Sequence, residues 1–220
     1  MNNTNNIFFR RHLPHFQPND SIYFITFRLH GSLPASVLMR LKEEYEVELR
    51  MHDIVFDDTI TRSKKEDVQK RYFARFDNFL DAFSERPTYL GVPEIAQVVC
   101  NTLHYWDSRR YALVCYCVMP NHVHVVIDVR KYIPEAYRIK QAYALTRIME
   151  SIKRFTARKS NELLGRMGKF WQKESYDRVV RDGKELNETL RYIIENPVKA
   201  GLVDAWEKWK WTYINFDYFT

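Results

Sequence analysis

The sequence predicts an α+β domain: a ferredoxin-like split βαβ with an antiparallel sheet, an inserted helical segment and a C-terminal helix that bears the candidate catalytic residue. Three observations carry this. Short runs rich in β-branched and aromatic residues read as strands at Ser21 to Leu29, Tyr111 to Met119, His122 to Val129 and Phe170 to Val180. The segments between them carry apolar residues at helical spacing. The resulting order (strand, helix, strand, strand, helix, strand, helix) is that of the split βαβ with one helix appended. Of 220 residues, 45% are hydrophobic and 28% charged, enough to bury a core. No repeat or Gly/Ser linker divides the chain, so residues 1–220 are expected as a single domain.

Taken in order, the first 20 residues are Asn-rich with Pro14 and Pro18, and read as an extended lead-in. Gly31 and Pro34 end the first strand, and Ser36 is placed to cap a helix through about Arg50. Residues 52–90 hold a charge-dense run, RSKKEDVQKR, then Phe73, Phe76, Leu80 and Phe83 about one turn apart, which predicts a helical insertion. Pro93 fits the first turn of a helix running to about Arg109. The two central strands meet at a short turn around Pro120-Asn121.

A long helix from about Tyr137 to Leu164 places Ile148, Ile152 and Phe155 on one side and Arg147, Arg154 and Arg158 on another. Phe170 to Val180 reads as an edge strand. Asp182 then caps a helix through Glu195, which Pro197 and Gly201 terminate. The tail, residues 204–220 (DAWEKWKWTYINFDYFT), is aromatic-rich and suited to docking on the domain or on a nucleic acid.

Composition narrows the partners. No stretch approaches the ~18 apolar residues of a membrane span, and mean hydropathy is -0.47. The N-terminus lacks a basic region followed by an apolar one, so no secretory signal is expected. Three cysteines, Cys100, Cys115 and Cys117, are too few and too odd for a disulfide scaffold, which points to a reducing, cytoplasmic setting. Net charge is +6. From Arg138 to Arg181 there are 12 basic and 4 acidic residues, the footprint either of a phosphate-backbone partner or of a solvated helix face.

Two constellations can carry chemistry. In His122-Val123-His124 both imidazoles project from one face of a strand, which is half of a divalent-metal site; the alternative is two half-buried, paired histidines. Tyr192 and Asn196, four apart on the last helix, share a face. A tyrosine can attack phosphorus and hold the cleaved strand covalently, and an asparagine can give a metal a neutral oxygen; packing and helix termination are the plainer readings. Tyr176 is the rival nucleophile. Cys115 and Cys117 alternate onto one face of the preceding strand, so a Cys2His2 zinc site is a further alternative.

Taken together, MPNHVHVV on a hairpin, a basic helix, WQKESYDRVV and YIIENPVKAGLV resemble the REP-associated tyrosine transposases. These belong to the HUH single-strand DNA endonucleases and are related to small single-tyrosine insertion-sequence transposases. The resemblance covers roughly Ser21 to Val203 and accounts less well for the segment from His52 to Tyr89. It implies that His122 and His124 bind Mg²⁺ or Mn²⁺. It further implies that Tyr192 opens a DNA strand to give a 5′-phosphotyrosine and a free 3′-OH, and that Asn196 completes the metal site, where some relatives carry Gln. Arg147, Lys153, Arg154, Arg158 and Lys159 would track a DNA backbone, and Trp171 and Tyr176 would either stack an unpaired base or pack in the core.

The expected function is a metal-dependent single-stranded DNA endonuclease and strand transferase acting on REP-like hairpins. The protein would be a monomer or homodimer, cytoplasmic and nucleoid-associated, with Tyr192 acting in its own chain or in a partner's. The alternatives are a catalytically inactive or domesticated hairpin-binding protein, and an RNA-binding module of the RRM type. The latter would carry exposed aromatics where this chain has His-x-His.

Overall fold

The computed structural model describes residues 6–10, 14–18, 20–51, 59–82, 87–132 and 144–219. The chain divides into two compact units, Met1–His30 with Thr88–Thr220, and Gly31–Pro87. The lead-in does more than extend: Asn6–Arg10 (β1) and Pro14–Pro18 (β2) pair antiparallel, with Phe8 opposite Phe16.

The first unit is organised by a five-stranded sheet. Its strands are Ile22–Arg28 (β3), Ala112–Val118 (β4), His122–Asp128 (β5), Tyr176–Val180 (β6) and Thr212–Ile214 (β7). They lie in the order β6-β3-β5-β4-β7, every pair antiparallel. From β3 to β6 this is the fourth, first, third, second arrangement of the ferredoxin-like plan. β6 is an edge, as the sequence predicts. β3 and β5 are buried along their whole length, because both faces of the sheet are covered.

Alternation sorts the side chains into two faces. Tyr23, Ile25 and Phe27 of β3 and Val123, Val125 and Ile127 of β5 form one core with Ile95, Val99 and Leu103 of helix Pro93–Trp106 and with Leu145, Ile148 and Ile152 of helix Ala144–Leu163. The opposite face presents Thr26, His122 and His124. It is covered by helix Gly183–Lys199, whose Leu186, Leu190, Ile193 and Ile194 are buried.

The second unit holds Ala35–Met51 (α1) and Thr59–Ala82 (α2); the three helices just given are then α3, α4 and α5. α1 begins one residue before Ser36, with Leu38 N–H donating to the Pro34 carbonyl, so Ser36 sits in the first turn rather than capping it. The helical unit thus reaches further towards the N-terminus than the predicted insertion and takes in α1. Phe73, Phe76 and Leu80 are buried at the predicted spacing, and Tyr45 packs on Tyr72 at 5.1 Å between centroids. Burial works against ionisation of Glu48, but Arg75 and Arg71 outweigh it and hold the carboxyl below its ordinary range. Residues 52–58 and 83–86, Phe83 among them, lie outside the described residues, as does the predicted start of α4 from Tyr137 to Tyr143.

Two further predicted details give way. Phe155 is 44% exposed under the Arg158 guanidinium instead of sharing the core with Ile152. Pro197 does not end α5, which runs to Lys199. A proline this close to a helix end forfeits only one i→i-4 bond, so the last turn survives it. The stop comes from Gly201, at φ 70°. Its N–H donates to the Val198 carbonyl while Leu202 N–H donates to Pro197, a left-handed glycine cap. At the other end Asp182 accepts from Glu185 N–H at 2.8 Å, as predicted.

The tail docks on the domain. β7 extends the sheet along β4, Trp209 Nε1 donates to the Val118 carbonyl at 3.0 Å, and Tyr213 stacks on Tyr116. Tyr218 donates its hydroxyl to Asp128 Oδ2 at 3.1 Å.

Candidate active site

The short Pro120-Asn121 turn, closed by Met119 N–H donating to the His122 carbonyl, starts β5 with His122 already in register. His122 and His124 therefore point the same way, both almost wholly buried, with their Nε2 atoms 3.0 Å apart. Register sets their neighbours: Arg28 lies opposite His122, while Thr26 on β3 and Cys117 on β4 flank His124.

Each outer nitrogen is held. His122 Nδ1 lies 2.6 Å from Asn121 Oδ1. A carbonyl oxygen only accepts, so in this orientation of the Asn121 amide Nδ1 is the donor, which leaves Nε2 a lone pair for a cation. His124 Nδ1 lies 2.7 Å from Thr26 Oγ1. A hydroxyl can donate or accept, so Thr26 permits either tautomer of His124. With Thr26 accepting, His124 Nε2 also presents a lone pair.

α5 supplies the rest. Asn196 is fully buried, its amide 3.3 Å from His124 Nε2. Rotating the amide by half a turn exchanges nitrogen for oxygen at that position, which offers a neutral oxygen ligand. Two donors on adjacent vertices of an octahedron with bonds of about 2.1 Å sit about 3.0 Å apart, the spacing the two imidazoles already have. Two imidazoles and an amide oxygen are donor types that suit a divalent cation.

Tyr192 is half-buried one turn before Asn196, its ring 5.7 Å from His124 and 6.2 Å, edge-on, from Phe24. Lys199 Nζ lies 5.8 Å from the Tyr192 ring centroid. Phe24 is the hub, stacked on His124 at 5.7 Å and meeting Tyr176 edge-on at 6.5 Å. Both candidate tyrosines thus share one face of the sheet, with Tyr192 against the imidazole.

No family model matches the chain. A Haemophilus influenzae protein provisionally named a REP-associated tyrosine transposase is 28% identical over 108 residues, which is 49% of this chain. The match spans 61% of that relative's length. The chain is similar to the REP-associated tyrosine transposases. Among solved structures, one described as a REP-associated tyrosine transposase bound to a REP hairpin covers 93% of this chain and 80% of its own, with a TM-score of 0.45 and 16% identity.

The other predicted residues fall into three groups. Arg147, Arg154 and Arg158 are exposed on α4, which lies across the opposite face of the sheet from the imidazoles. Lys153 and Lys159 are half-buried. Lys153 donates to the Lys173 carbonyl and Ser175 Oγ just before β6, and Lys159 pairs with Glu162.

Trp171 belongs to the core and not to a base-stacking surface. It is 7% exposed, packs on Phe27 and Phe170, and donates from Nε1 to Thr156. A large indole beside buried aromatics gains more from burial than an exposed one would.

The zinc alternative also fails. Cys117 shares the face of His124, but its thiol donates to Met119 Sδ and accepts from Thr212. Burial and the neighbouring Cys117 push the Cys115 thiol well above its ordinary value. Among the described residues neither cysteine joins a metal-ligating group. Thr26 and Asn121, which orient the imidazoles, had no signal beyond their places in the strand and the turn.

Proposed function

We propose that the chain is a metal-dependent single-stranded DNA endonuclease and strand transferase that cleaves hairpin-forming, REP-like DNA through a 5′-phosphotyrosine on Tyr192. The observation that carries the reading is the convergence, within one chain, of His122, His124, Asn196 and the Tyr192 ring on one buried face. That arrangement favours action in cis, and the likeness to a relative named as a transposase supports the reaction class.

His122, His124 and Asn196 would hold Mg²⁺ or Mn²⁺, which when bound offsets charge on the scissile phosphate and polarises it. The chain does the rest. Asn121 and Thr26 fix the imidazole rings, and α5 sets the Tyr192 hydroxyl against the phosphate. As the tyrosine oxygen bonds to phosphorus and its proton leaves, the phosphorus–O3′ bond breaks and O3′ takes up a proton as the free 3′-OH. One phosphodiester replaces another, so a waiting 3′-OH reverses the step without ATP, which suits strand transfer.

Lys199 adds positive charge beside the phenol. Arg147, Arg154 and Arg158, with Lys153 and Lys159, would contact the DNA backbone, and half-buried Tyr176 would meet a base at the β6 edge. The protein would work in the cytoplasm at the nucleoid, as a monomer or homodimer.

The test is incubation with a panel of end-labelled single-stranded hairpins, including those flanking its own gene, with Mn²⁺ and denaturing gels. A covalent adduct that EDTA abolishes and Tyr192→Phe removes, while Tyr176→Phe leaves it, is expected. Loss with Tyr176→Phe alone would move the nucleophile. Tight, metal-independent binding with no adduct on any hairpin would contradict the enzymatic reading.

A further inference from the structure

We infer that Arg178 is a positioning residue that fixes the rotation of α5 about its own axis, and with it the aim of Tyr192 and Asn196; the inference rests on the functional reading above. Glu185, Thr189, Tyr192 and Asn196 fall at i, i+4, i+7 and i+11 of α5, within an arc of about 60° on a helix turning ~100° per residue. The first two members of that stripe are gripped by one guanidinium. From β6, Arg178 Nη1 donates to Glu185 Oε1 at 2.6 Å and Nη2 to Thr189 Oγ1 at 2.8 Å. Glu185 Oε2 accepts Arg181 N–H at 3.0 Å, which ties the same carboxylate to the backbone just after β6. Thr189 in turn donates to the Glu185 carbonyl. The ion pair is largely withdrawn from water, with side chains 20% and 11% exposed. The guanidinium also lies 5.1 Å from the centre of the Phe24 ring, the ring that packs on both His124 and Tyr192.

The apolar stripe of α5 does not do this job. Leu186, Leu190, Ile193 and Pro197 bury area, but area is indifferent to a small rotation, whereas a two-point fork on two residues one turn apart is directional. The leverage is large. A phenol oxygen roughly 9 Å from the helix axis moves about 1.5 Å for a 10° rotation, and a misplacement of about 1 Å can cost about a hundredfold in rate. Replacing a buried ion pair by apolar residues of similar volume often leaves stability unchanged or raises it, which lets positioning be separated from folding.

The experiment compares wild type, Arg178→Met/Glu185→Leu, Arg178→Lys and Thr189→Val. It reads single-turnover adduct formation at saturating hairpin and Mn²⁺, hairpin Kd, Mn²⁺ affinity by calorimetry, and Tm. For the double apolar variant, a fall in the cleavage rate constant of about 10- to 100-fold is expected, with weaker Mn²⁺ binding, hairpin Kd within twofold of wild type and Tm not lowered. Arg178→Lys keeps the charge but loses the fork, and should fall with it; Thr189→Val, which removes one contact, should fall by a few-fold without unfolding. Cleavage within twofold of wild type in Arg178→Lys and in the double variant would overturn the inference. So would losses that follow Tm alone across the series. A wild type that forms no adduct would instead overturn the functional reading.

Discussion

Thr26→Val tests whether the imidazoles are organised as ligands. Thr26 is 2% exposed on a central strand, and its hydroxyl is 2.7 Å from His124 Nδ1. Valine keeps the volume and the β-branched shape, so the strand and its packing survive and one polar atom is lost. Losing a partner of this kind typically weakens metal binding by about 10- to 100-fold, or about 1.4 to 2.7 kcal/mol. The metal-free fold loses about 1 to 3 kcal/mol, because the buried His124 Nδ1 keeps its polarity and loses this hydrogen bond. The assay is a Mn²⁺ titration of hairpin cleavage, with calorimetry for binding and urea denaturation in EDTA. The Mn²⁺ midpoint should rise by at least tenfold with the hairpin Kd unchanged. A midpoint within twofold of wild type, alongside the expected loss of stability, would mean that His124 is a structural histidine.

Three other outcomes follow from the same geometry. Arg147→Ala/Arg154→Ala/Arg158→Ala should make the log–log dependence of hairpin affinity on salt shallower by about 2 to 3, at about 0.7 to 0.9 per phosphate contact; an unchanged slope removes α4 from the DNA path. Trp171→Ala should cost about 3 to 5 kcal/mol in urea denaturation while leaving hairpin affinity per folded molecule unaltered, and a selective loss of affinity would return the indole to the DNA. Although burial pushes the Asp128 carboxyl up, Arg130 and Tyr218 outweigh it and hold it below its ordinary range. A depressed folded value gives stability that is complete above the unfolded value of about 3.9 and is lost as pH falls through the folded one. Asp128→Asn should therefore destabilise at pH 7, by an amount that shrinks as pH is lowered below about 3.9, and a cost that stays constant down through the acid range would show that the carboxylate's charge is not what holds the tail.

What the sequence made legible was local. Strand and helix signals from Ile22 to Gly201 placed every element of the split βαβ, and Asp182 and Gly201 bounded α5 as their chemistry demands. The parts that escaped depend on distant pairing. β7 is only Thr212–Ile214, too short to show alternation, and it forms because β4 offers an edge almost a hundred residues earlier. Thr26 and Arg178 look like ordinary strand residues until the register puts one beside His124 and the other across α5. Phe155 escaped for the converse reason: periodicity gives a direction around a helix but not what waits there. The candidates His122, His124, Tyr192 and Asn196 could be singled out because two short motifs carry them, and the fold brings those two motifs together.

The most direct test of the central claim is to locate the covalent bond. Adduct formed with Mn²⁺ on a cognate hairpin would be digested with nuclease and trypsin and sequenced by mass spectrometry. The account predicts a nucleotide on the tyrosine of the fragment Tyr192–Lys199, absent when EDTA is present. A nucleotide on the fragment Glu174–Arg178, which holds Tyr176, would contradict it.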